Sequence, residues 1–107
     1  MRVASAMQTL TLGPLRSTAK LWIDDHGIPA DRFYAGITNA PQQRLRAHRV
    51  DPKGDYTFFQ ASSDSVARAV ERYLVDQVGC EGGSGGGDSS STYLYIYRIT
   101  RSTVQRT

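Results

Sequence analysis

A chain of 107 residues has room for one domain built on one modest core. With 39% hydrophobic and 21% charged residues it has the composition of an ordinary globular protein, which excludes a disordered or membrane-embedded class. The net charge of +3 permits a polyanionic partner, while a lone cysteine, Cys80, beside two histidines excludes an internal disulfide and a zinc cage.

Residues 1–7 lack the unbroken apolar run of a signal peptide, and no stretch approaches the ~18 apolar residues of a membrane span. A reducing cytoplasm and no membrane partner are therefore expected. The segment QTLTL (8–12) alternates and reads as a short strand stopped by Gly13-Pro14. Ser17 offers an N-cap for a helix over 18–26, with Trp22 in the core, and Gly27 and Pro29 supply its stop. RFYAGIT (32–38) is the best strand, with Phe33, Ala35 and Ile37 on one side and Tyr34, Gly36 and Thr38 on the other. Asn39 can cap a helix starting near Pro41, which is tolerated in a first turn, and that helix ends before the turn at 51–54. YTFFQA (56–61) is another strand. Ser62-Ser63-Asp64 opens the longest helix, roughly 65–78, whose Val66, Val70, Tyr73, Leu74 and Gln77 form a mostly apolar face for the sheet. A glycine-dominated loop (79–88), expected to be mobile, leads to the strong strand YLYIYRIT (93–100) and a polar tail. The pattern predicts a single α/β (α+β) domain over 1–107: a small, mostly antiparallel sheet of three to four strands flanked by helices.

Several side chains fall where phosphate chemistry would want them. Arg44 and His48 are four residues apart and share one helical face. A guanidinium is a permanent cation whose fork clamps a phosphate. Tyr34 shares a strand face with Gly36, whose missing side chain leaves space for a ligand or for close helix packing. Glu71 lies at the flank of the apolar stripe. A lone carboxylate there, completed by waters and phosphate oxygens, is how Mg²⁺ is usually held. Phosphodiester cleavage needs a positioned water, a base, and charge neutralisation at phosphorus and the leaving oxygen. Tyr34 or His48, Arg44, and Mg²⁺ (or Mn²⁺) on Glu71 would supply these in turn, with Arg46, Arg49 and Lys53 as further phosphate contacts. Plainer roles stand beside each. Tyr34 also suits a half-buried strand tyrosine, Arg44 a solvated cation, His48 a helix C-terminal complement, and Glu71 a partner for Arg68. The loop at 82–88 lacks the Lys-Ser/Thr ending of a P-loop and reads as a connector. Tyr93, Tyr95 and Tyr97 alternate on one face, either to stack nucleobases or as the half-covered side of an amphipathic strand.

Taken together, FYAGITNAPQQRLRAH (33–48) resembles the second half of the GIY-YIG nuclease signature: a strand bearing Tyr-x-Gly, a short turn, then a helix bearing Arg-Leu-x-x-His. ARAVE (67–71) resembles the helix that carries that family's metal-binding glutamate. The likeness spans roughly 33–78, a little under half the chain. The family's first motif, Gly-Ile-Tyr on the first strand, is absent; the residues at the usual separation before Tyr34 are Trp22-Ile23. The resemblance implies a GIY-YIG-like fold and divalent-metal-dependent hydrolysis of DNA or RNA, DNA ahead of RNA. It also implies one cation on Glu71, a tyrosine base, and convergence of Tyr34, Arg44, His48 and Glu71. Without the first tyrosine, His48 or Tyr34 takes over as base, or the domain binds nucleic acid without cutting it. An interaction module whose tyrosine strand joins a partner protein's sheet is the reading from a different class.

Overall fold

The alternation in FYAGIT organises the computed structural model, which describes residues 9–82 and 90–106. Strand β1 (Phe33–Thr38) is buried at every position, so both of its faces are covered. Phe33, Ala35 and Ile37 enter one apolar cluster and Tyr34 enters another. Strands β2 (Tyr56–Gln60) and β3 (Tyr93–Arg98) complete an antiparallel sheet of order β1-β3-β2. The strand latest in sequence is thus the central one. Its row of tyrosines is flanked on both sides, which removes the option of β3 adding to a partner's sheet.

Helices α1 (Leu12–Asp24) and α3 (Asp64–Tyr73) cover one face of this sheet, and the short helix α2 (Pro41–Ala47) covers the other. On α1 the buried residues are Leu15, Ala19 and Ile23, one per turn, and Ala67, Val70 and Leu74 play the same part on and just after α3. They meet Leu94 and Ile96 from β3. Burial of each large aliphatic side chain contributes about 1.5–3 kcal/mol. Thirteen buried residues form this cluster, against four on the α2 face among the described residues, so stability resides chiefly on the α1/α3 side. The α2 side is left free to carry polar groups.

The N-terminal expectation fails for a local reason. QTLTL is not a strand among the described residues; Leu10 makes one parallel bridge to Ala61, and α1 begins at Leu12 rather than Thr18. Gly13-Pro14 falls in the first helical turn, where amide hydrogens have no helical acceptor, so proline is tolerated there. Asn39 does not cap α2. Its amide donates to Ser90 Oγ at 3.1 Å, and Thr38 Oγ1 accepts the Ala40 N–H at 3.0 Å instead. Ser63 does cap α3, its Oγ accepting the Val66 N–H at 3.2 Å. Beyond α3 the coil widens into a π-type turn, Leu74–Val78, which leaves through Gly79 at φ 105°. The chain then runs along the outer edge of β1, where the Ala35 N–H donates to the Glu81 carbonyl at 2.9 Å and the Glu81 N–H to the Phe33 carbonyl at 2.8 Å. Most of the glycine loop, 83–88, lies outside the described residues, and with it the expectation of mobility. Among the described residues no helix is long and apolar enough to cross a membrane.

Arg49 follows α2 at φ 60°, a left-handed conformation that a Cβ disfavours by roughly 1 kcal/mol or more. Arg49→Gly is expected to raise the stability read from urea unfolding by up to about 1 kcal/mol. A lower midpoint would mean the Arg49 side chain holds the α2–β2 loop.

Candidate active site

Gly36 sits opposite Tyr95 in the β1–β3 register, and a Cβ at position 36 would lie 2.5 Å from the Tyr95 hydroxyl oxygen. The absent side chain therefore lets the Tyr95 ring lie across β1. The space anticipated for a ligand or a helix is filled by the neighbouring strand's tyrosine. Tyr34 lies opposite Tyr97, and the Tyr34 ring stacks on Tyr97 at 5.3 Å and on Tyr95 at 6.2 Å. The Tyr95 and Tyr97 rings are nearly parallel to each other, at 4°. Of the three, Tyr34 keeps the most exposure at 9%, against 2% for Tyr95 and 0% for Tyr97. Gly36→Ala must push Tyr95 aside. We expect a loss of about 1–3 kcal/mol in thermal or urea unfolding; an unperturbed tyrosine near-UV signal in a fully stable variant would show that the ring has room.

Helix α2 then delivers the polar partner. His48, fully buried, caps its end and packs against all three rings at 4.9 to 5.5 Å. Its Nδ1 lies 2.6 Å from the Val104 carbonyl oxygen, so Nδ1 carries the proton and donates. In the neutral ring Nε2 then accepts the Tyr95 hydroxyl at 2.8 Å. The Tyr97 hydroxyl, 3.1 Å from Nδ1, donates to Gln105 Oε1 at 3.0 Å. The Val104 N–H donates in return to the His48 carbonyl at 2.7 Å, so the C-terminal segment is pinned to His48 from both directions. Burial lowers the pKa of His48 from its ordinary value, the Arg44 charge adds to this, and the Val104 carbonyl opposes it.

Arg44, one turn earlier on α2, lies against the Tyr95 hydroxyl and favours its anion, but burial is the larger influence and raises Tyr95 far above the ordinary tyrosine value. Burial raises Tyr97 likewise. Glu71 approaches from α3, on the opposite face of the sheet. Burial lifts its carboxyl to about 7, with Arg68 and Arg72 opposing and Asp76 reinforcing. Among the described residues no cation pairs with it within 4 Å; Arg68 pairs with Asp64 at 3.8 Å instead. The Glu71 charge still reaches the Tyr95 hydroxyl, opposing its ionisation.

Of the residues singled out in the sequence, Tyr34, Arg44 and His48 thus surround Tyr95, whereas Glu71 stands on α3, the helix on the other face of the sheet, so only three of the four expected to converge are brought together. Arg46, Arg49 and Lys53 stay outside this cluster, exposed on α2 and the loop that follows it. A half-buried carboxylate without a cationic partner fits a divalent cation that is otherwise held by water and phosphate oxygens. An all-protein cage does not fit, because among the described residues no three metal-ligating side chains cluster. The sequence offered Tyr95 and Tyr97 as base-stacking or half-covered rings; at 2% and 0% exposure they are neither, and nothing in the sequence pointed to the clamp at Val104. The alternating tyrosines were visible, but not that their strand pairs with Tyr34. No family model matches the chain, and no curated protein or solved structure matches it either.

Proposed function

We propose that this chain is a GIY-YIG-like endonuclease that hydrolyses phosphodiester bonds in DNA or RNA with one Mg²⁺ or Mn²⁺. The observation that supports the reading best is the grouping of Tyr34, Arg44 and His48 around Tyr95, whose hydroxyl donates to His48. Glu71, half-buried on α3, has no cation within 4 Å among the described residues and is left for a metal. In this reading Arg44 holds the scissile phosphate before and during reaction. Glu71 holds the cation, which when bound neutralises charge at phosphorus and at the leaving oxygen. Tyr34, the least enclosed of the three clustered tyrosines, orients the attacking water and, as its phenolate, would take the water's proton. His48, with both ring nitrogens engaged, is a positioning residue that fixes Tyr95 and never meets substrate. Tyr97, opposite Tyr34, provides the second tyrosine that the absent Gly-Ile-Tyr motif would have contributed, from the last strand rather than the first. A cytoplasmic location suits the buried Cys80 thiol, which burial lifts to about 11 and keeps unreactive.

A catalytically inactive nucleic-acid-binding module is the second reading, favoured by the tight enclosure of the tyrosine hydroxyls. Incubation with single- and double-stranded DNA and RNA at low salt, in Mg²⁺, Mn²⁺ or EDTA, separates the two. Cleavage in either metal and none in EDTA is expected. Salt-sensitive binding without cleavage in any condition would support the second reading.

A further inference from the structure

The outer side of α2 carries a feature that the tyrosine cluster does not use. Tyr56 and Phe58 on the edge strand β2 lie opposite Tyr97 and Tyr95, so they face the α2 side of the sheet. Phe58 contacts the cluster and meets Tyr93 edge-on at 6.1 Å and 75°. Tyr56 is 37% exposed. Between this aromatic row and α2 runs a trough. One part, about 530 Å³, lies over Phe58 and Tyr93; the next, about 200 Å³, lies over Tyr56. Gln42 and Arg46 line both, which makes them one continuous depression. Arg46 lines both parts, and exposed Arg49 and Lys53 flank in sequence the Val50 and Pro52 that line its far end. The acidic group in that loop stretch before Gly54, Asp51, is exposed and accepts the Lys53 N–H at 2.9 Å, so one anion stands among these cations.

We infer that this trough binds a single unpaired nucleic-acid strand, with one base against Phe58 and Tyr93, the next against Tyr56, and the phosphate between them on Arg46. Spacing and charge decide the occupant. Residues two apart on a strand lie ~6.8 Å apart, about twice the ~3.4 Å rise of a stacked duplex strand. Rings at that interval are met by splayed, unpaired bases and not by bases stacked in a helix. A cation lining both stacking positions matches a phosphodiester linkage, whereas an apolar peptide would leave Arg46 without a partner. The inference rests on the nucleic-acid reading above but not on cleavage.

The test is fluorescence anisotropy in EDTA, with labelled oligo-dT and oligo-U against a mixed-sequence duplex of equal length. Wild type is expected to bind the single strands more tightly than the duplex. Tyr56→Ala and Arg46→Gln, both at exposed positions, should each weaken single-strand binding roughly tenfold or more and leave duplex binding little changed. Phe58→Ala should do the same, but Phe58 packs on the core, so the two exposed variants decide the matter if it fails to fold. Equal or tighter duplex binding, or single-strand affinity unchanged in Tyr56→Ala and Arg46→Gln, overturns the trough. A protein that binds single strands through these residues yet never cuts leaves the trough standing and removes only the nuclease.

Discussion

Glu71→Gln is expected to abolish cleavage and, in the metal-free protein, to stabilise the fold as pH rises. The carboxyl titrates at about 7 in the folded chain against 4.5 when solvated, so the native state prefers it protonated. Below pH 4.5 wild type and variant should therefore be equally stable. As pH rises through 7 the wild type must ionise a half-buried group, and that stability is lost. A tenfold change in proton affinity corresponds to about 1.4 kcal/mol, and partial solvent screening reduces the total to about 1–3 kcal/mol at pH 8. Glutamine keeps the shape and never ionises. Urea unfolding with chelator at pH 4.5 and pH 8 reads the effect directly. A gap between variant and wild type that opens with pH is expected; a gap that does not change with pH would mean that Glu71 is not penalised by its surroundings. A carboxylate kept at a cost to stability is what a cation site calls for, and the variant's lost activity with retained substrate affinity would show it.

His48→Ala should have the largest effect on stability of any single change at the site, about 3–5 kcal/mol. It leaves a cavity among three rings and strips the Tyr95 hydroxyl and the Val104 carbonyl of their partner. Set against a total of roughly 5–15 kcal/mol for a small domain, that is close to unfolding. The pH dependence runs opposite to that of Glu71. His48 is held neutral, below its ordinary value of 6.5, so its contribution is complete above pH 6.5 and declines as pH falls below it toward the lowered native value. His48→Asn keeps a donor for Val104 and should retain more of the fold. If Tyr95 needs His48 only for position, this variant loses cleavage by about 10²-fold or more while its substrate affinity holds. A folded His48→Asn protein with full activity would leave His48 a structural residue alone.

How much of this was readable in the chain depends on whether the signal was local. The alternation in FYAGIT, the Ser63 cap and the stripe through Val70 and Leu74 each express one element's own geometry, and the structure repeats them. The turn after α2 closes where composition placed it, with the Gly54 N–H on the Asp51 carbonyl at 2.8 Å. Gly13-Pro14 misled because the same dipeptide ends a strand or starts a helix, and only the burial of Leu15 and Ala19 by distant residues chooses between them. The site was half legible for the same reason. Arg44 and His48 share a helix, so their spacing shows their common face. The pairing of Tyr34 with Tyr97, and of Gly36 with Tyr95, joins segments about 60 residues apart and is fixed by sheet order, which no local pattern reveals. Glu71 stands on α3, across the sheet from α2, and that placement is set by packing which no local pattern reveals.

The most direct test of the central claim is the single-turnover cleavage rate of wild type and Arg44→Ala on nucleic acid in Mg²⁺ and in Mn²⁺. The account predicts metal-dependent cutting by wild type and a loss of at least ~10²-fold in the variant, since in the proposed reading the guanidinium beside Tyr95 holds the scissile phosphate before and during reaction. Equal rates in the two proteins, or no cutting by wild type in either metal, would contradict it.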